Sequence, residues 1–122
     1  MHEMGIANAV LDAVRTEALR LNGRHPSKVG VRIGELAAVD PEALHFCFDA
    51  LVRGTDLEPL ELDIEFCPRR HRCPQCNEVF AVLDYAIECP HCGSLRTEFV
   101  SGDELELAYL EVADDESIAT GK

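Results

Sequence analysis

Cys73 and Cys76, followed after twelve residues by Cys89 and Cys92, form two C-x-x-C pairs. Two thiols three positions apart in a tight turn aim both sulfurs at one point. A second such turn completes a tetrahedron, with bonds of about 2.3 Å if the ion is zinc. Pro74 and Pro90 preset the turns, and Asn77 and Gly93, the residues after each pair, are types that accept left-handed backbone. Four thiolates leave no open position for water or substrate, so the expected site is a structural staple holding zinc in preference to iron. Two disulfides are the alternative, but no secretory leader is recognisable, and the expected compartment is the reducing cytoplasm.

A second group with coordination chemistry lies at Met1-His2-Glu3. The α-amine of Met1, the amide nitrogen and imidazole of His2, and the amide of Glu3 can present four nitrogens in a plane. That geometry suits Ni(II) or Cu(II) rather than Zn(II). A lone histidine near a terminus is more often a solvated side chain, so the motif on its own decides little.

The elements that must position these groups are legible from periodicity. Over residues 6–21, Ile6, Val10, Val14 and Leu21, with Ala9, Ala13 and Ala18, recur at helical spacing, and Asn22-Gly23 ends the helix. Residues 28–36 alternate, with Val29, Val31 and Ile33 on one side of a strand. Asp40-Pro41-Glu42 reads as N-cap, first-turn proline and early acid of a second helix over 41–53, stopped by Gly54. Leu60, Leu62, Ile64 and Phe66 then alternate with acids in a strand that has one wet face. Strand, helix and strand in succession predict a right-handed crossover with parallel pairing. Short strands are expected at 79–82 and 97–100, and a longer one over 104–112 returning to the first domain.

The resulting expectation is an α+β protein: a small mixed sheet with two helices on one face, plus a zinc-ribbon-like domain. Residues 1–66 plus 104–112 form the first domain, 67–103 the metal domain, and 113–122 a flexible acidic tail. Few apolar residues fall in 67–103, so metal binding is expected to fold that segment.

Charge bears on function. With 23 acids against 11 bases, the chain of 122 residues carries a formal net charge of −12, which repels phosphate backbones. A zinc-ribbon module for protein or nucleic-acid interaction is the rival reading, and the local run Arg69-Arg70-His71-Arg72 is its only basic feature. The run is also explained as charge compensation for a four-thiolate centre. An enzyme is not expected, since no set of nucleophile, base and orienting group is recognisable. Cys47 falls on the apolar stripe of the second helix and reads as core. Cys67 reads as a fifth thiol near the metal or a spare one at the domain junction. His91 and His71 read as spacers near the knuckles or as pH-responsive substitutes for a cysteine, and His25 and His45 as surface residues.

Taken together, MHEMGIANAVLDAV, VRIGELAAVDPEALHFCFDALVRGT, LELDIEF and the pairs CPQC and CPHCG resemble the HypA/HybF family of nickel metallochaperones used in [NiFe]-hydrogenase maturation. The likeness covers residues 1–112. It implies a nickel-carrying N-terminal domain and a domain built on structural zinc at Cys73, Cys76, Cys89 and Cys92. The family's nickel ligands fall on Met1, His2 and Glu3, with His2 the essential side chain and Asp40 an auxiliary ligand in some members. For Asp40, helix capping is the competing role. Implied partners are a HypB-type GTPase, the hydrogenase large-subunit precursor and, in some members, urease accessory proteins.

Overall fold

The computed structural model describes residues 2–22 and 24–113, which fall into two compact units. Among the described residues the first comprises 2–22, 24–32, 39–65 and 106–113, and the second 33–38 and 66–105. Met1, Gly23 and the tail beyond Ala113 lie outside the described residues.

The first unit opens with helix α1, His2–Ala18, which buries Ile6, Ala7, Leu11 and Val14. The helix starts four residues before the point at which its apolar repeat begins. Its first turn carries no periodic apolar signal, but Glu3 there is favourable at the positive end of a helix dipole. The end also differs from expectation. After Ala18 the amides of Leu19, Arg20 and Leu21 bond three residues back, tightening the chain into turns before Asn22 takes a φ of 49°. Helix α2, Pro41–Val52, buries Leu44, Cys47, Phe48 and Val52 and stops before Gly54, whose φ is 78°. Cys47 is thus core, as its place on the stripe predicts.

The helices pack together and cover the apolar face of a three-stranded sheet ordered β2-β1-β6. Its strands are β1, His25–Gly34, β2, Glu61–Cys67, and β6, Leu105–Ala113. Val29, Val31 and Ile33 are buried along β1. On the opposite face Arg32 pairs with Glu65 of β2 at 3.6 Å and Glu106 of β6 at 2.9 Å. The Tyr109 ring lies over Gly30, where any Cβ would overlap it, and its hydroxyl donates to Asp63. That bond, then burial, pushes the Tyr109 phenol up to about 12. The pairs Gly30 with Asp63 through Tyr109, and Arg32 with Glu65, step in the same direction, so β1 and β2 are parallel. Ser27 reaches Glu111 while Gly34 reaches Glu104, so β6 runs antiparallel to β1. The sheet is mixed, with two helices on one face, as the sequence predicts. Phe66 departs from its alternating pattern and is 60% exposed, because within β2 burial reaches only Leu62.

The second unit holds a 3-10 turn, Glu35–Ala37, followed by Ala38 in the left-handed conformation, and a sheet ordered β4-β3-β5. These strands are β3, Arg70–Arg72, β4, Val79–Ala81, and β5, Glu98–Ser101, all antiparallel neighbours. Residues 70–72 of the basic run form the central strand. Its alternation points His71 inward between Phe80 and Phe99, with ring centroids 6.3 and 6.1 Å away. Thr97 Oγ1 donates to Ile87 O at 2.6 Å, so at 3.0 Å from His71 Nδ1 it accepts, which places the imidazole proton on Nδ1. Burial, and then the Arg69 charge, lowers the His71 pKa. Arg72 bonds Asn77 and Glu98 rather than facing solvent alone.

Candidate metal centres

Each cysteine pair sits in the same local construction. At the first, the Cys73 amide donates to Glu78 O and the Asn77 amide to Cys73 O; at the second, the Cys89 amide donates to Ser94 O and the Gly93 amide to Cys89 O. Asn77 and Gly93 occupy equivalent left-handed positions, with φ of 64° and 78°. The turns therefore close in the way the residue types dictate. Amides turned toward sulfur follow from this closure: those of His91 and Cys92 donate to Cys89 Sγ at 3.4 and 3.5 Å.

The four sulfurs converge. Cys73 and Cys92 are 3.5 Å apart, Cys76 and Cys89 are 3.6 Å apart, and all four lie within 4.8 Å of one another. A tetrahedron with metal–sulfur bonds of about 2.3 Å has edges of roughly 3.8 Å, so the cage fits a zinc-sized ion. Cys73 and Cys89 are buried, Cys76 is half-buried and Cys92 is exposed. Neither Cys67 nor Cys47 joins the group, nor do His71 and His91. Cys67 ends β2 and is half-buried.

Crowding splits the thiols. The Cys76 amide, assisted by that of Gln75 and the Cys92 and Cys76 sulfurs, lowers Cys73 to about 7 against burial. Burial pushes Cys89 up, but the amides of Cys92 and His91 and the adjacent sulfurs leave it lowered. The Glu78 amide pulls Cys76 down and is outweighed by burial and the three neighbouring sulfurs, which take it up to about 12. Cys92 is likewise raised: the Ser94 amide pulls it down, and the Cys73 sulfur, burial and Cys89 overcome it. Four thiols this close ionise together only around a cation, which is the donor chemistry of a metal cage.

At the N-terminal candidate, His2 and Glu3 form the first turn of α1, and Met1 lies outside the described residues. Glu3 Oε2 accepts a hydrogen bond from the Asp40 amide at 3.0 Å and lies 4.0 Å from His2 Nδ1. The Asp40 bond is the main reason the Glu3 carboxyl is held below its ordinary range. Asp40 caps α2 as expected, its Oδ1 accepting from the amides of Glu42 at 3.0 Å and Ala43 at 3.4 Å. The Glu3 side chain in the first turn of α1 thus meets the N-cap amide of α2. Periodicity gave no sign of the Glu3–Asp40 bond, which joins positions 37 apart.

Convergent thiols in one unit define a small α+β protein with a four-cysteine site that could hold a metal ion. Comparison with known proteins narrows the class. The family model described as "Hydrogenase/urease nickel incorporation, metallochaperone, hypA" matches residues 1–112. The hydrogenase maturation factor HypA of Geobacter metallireducens is 41% identical over 112 residues, spanning 92% of this chain and 99% of that protein. That of Chlorobium limicola is 40% identical over 114 residues, spanning 93% and 98%. The solution structure of the Ni metallochaperone HypA from Helicobacter pylori superposes with a TM-score of 0.62 at 26% identity, covering 92% of this chain and 97% of that one. The chain belongs to the HypA family of hydrogenase and urease nickel-incorporation metallochaperones.

Proposed function

We propose that this chain binds Ni(II) at the start of α1 and delivers it for maturation of [NiFe] hydrogenase, with urease as a second destination, while zinc in the four-cysteine cage holds the second unit in shape. The ligands are the α-amine of Met1, the amide and imidazole of His2 and the amide of Glu3. Asp40 remains a cap. The observation that carries the reading is the placement of His2 and Glu3 in the first turn of a helix. There, amides have no intrahelical partner and point in nearly one direction.

Local geometry supports it. A chelate ring through two successive amide nitrogens requires the N–Cα–C–N torsion, which is ψ, to be near zero. Helical ψ is about −42° and strand ψ about +135°, so a helical turn is much closer to the chelating form. An open site at a chain end can also surrender its ion by stepwise ligand exchange, which a closed thiolate cage does poorly. The partners consistent with this role are a HypB-type GTPase and the hydrogenase large-subunit precursor, and the compartment is the cytoplasm. Among the described residues no helix is long and apolar enough to cross a membrane.

The test is nickel titration of the native chain against His2→Ala, with zinc content measured on both. Loss of nickel affinity by tenfold or more, about 1.4 kcal/mol, with zinc unchanged, is expected. Unchanged nickel affinity in His2→Ala overturns the assignment.

A further inference from the structure

We propose that the Glu3 side chain is a positioning group rather than a nickel ligand: its carboxylate completes the capping box of α2 in trans and so fixes the first turn of α1. This rests on the nickel reading above and concerns how the same site is held.

A capping box has two reciprocal bonds. The N-cap side chain accepts from the amide three residues on, and a Glu or Gln at that third position accepts from the N-cap amide. In α2 the first half is present, since Asp40 Oδ1 accepts from the Glu42 and Ala43 amides. The second half cannot form locally, because the third position is Ala43. Glu3 supplies it instead, with Oε2 at 3.0 Å from the Asp40 amide. The residue that does so adjoins His2, whose Nδ1 is 4.0 Å from the same oxygen.

Two consequences follow. A carboxylate engaged with a backbone N–H needs to be an acceptor but need not be charged, so glutamine can replace it. A carboxylate bound to nickel needs its charge. Moreover, the bond joins α1 and α2 at their N-terminal ends. Its loss frees the α1 turn to fray even if α2 finds another cap.

The experiment compares the native chain with Glu3→Gln, Glu3→Ala and the double variant Glu3→Ala/Ala43→Glu. It reads nickel affinity by titration, and hydrogen exchange of the Asp40 amide in nickel-free protein. Glu3→Ala is expected to lose Asp40 protection and weaken nickel binding about tenfold, the scale of one hydrogen bond, while Glu3→Gln retains protection and stays within about threefold of native affinity. The double variant, with its box rebuilt within α2, is expected to regain Asp40 protection yet remain weak for nickel. Glu3→Gln as weak as Glu3→Ala with Asp40 still protected would assign the carboxylate to the metal. Recovery of nickel affinity in the double variant, or native affinity in Glu3→Ala, would equally overturn the positioning role. His2→Ala run alongside separates the two levels: if it binds nickel normally, the site itself has been misplaced.

Discussion

The two units are organised around opposite solutions to the same problem of ordering a short chain. In the first, Phe48, Leu44, Val14 and Val29 are fully buried beneath two helices and a sheet. In the second, the fully buried side chains are Cys73 and Cys89 themselves, while Val79, Leu83, Leu95, Phe99 and Val100 remain largely exposed. One unit is held by apolar burial, and the other places its buried side chains at four convergent sulfurs. The candidate metal sites differ in the same sense. The cage gathers all its donors from two matching turns, whereas the His2 corner joins the open ends of two helices.

The largest expected effect falls on the cage. Chelation of its metal, or Cys73→Ser, should unfold the second unit and leave the first folded, since structural zinc contributes on the order of 10–16 kcal/mol to comparable segments. Amide spectra of the two units would report this, and a second unit that stays ordered without metal would erase the contrast. Phe48→Ala is the reciprocal variant. Truncating this buried ring should cost the first unit about 3–5 kcal/mol in denaturant unfolding while zinc content holds. Asp40→Ala should cost about 1 kcal/mol through the lost cap, measured the same way.

The smallest effect is one of pH. Glu3 has a depressed pKa in the folded state, chiefly from the Asp40 amide, so its contribution is present above the unfolded carboxyl value and is lost as pH falls through the lower folded value. Replacing Glu3 by Gln should flatten that acid-side loss in the Asp40 amide signal. An identical acid profile in both chains would detach the signal from Glu3.

What the sequence made legible follows from the range of the interactions. The knuckles were readable because their geometry is local: cysteine spacing, with Asn77 and Gly93 at left-handed positions, encodes each turn within six residues. The Asp40 cap is local too, and β6 announced itself by apolarity in excess of what the second unit needs. The central role of β3 was hidden, because three arginines around one histidine read as solvated charge until β4 and β5 enclose His71. Phe66 misled for the complementary reason, that alternation says which side chains share a face without saying how far that face is covered. The start of α1 carries no periodic apolar signal, and the Glu3 bond joins positions 37 residues apart, beyond the reach of any local pattern.

In the proposed division, nitrogen at the start of α1 carries the nickel while sulfur keeps its own ion. The most direct measurement is nickel titration of the chain against a version extended by a few residues before Met1, which preserves every side chain and converts only the α-amine to an amide. The extended chain should bind Ni(II) at least tenfold more weakly, with zinc content unchanged. Equal nickel affinity in the two would contradict the account and send the search for the cargo site elsewhere in the molecule.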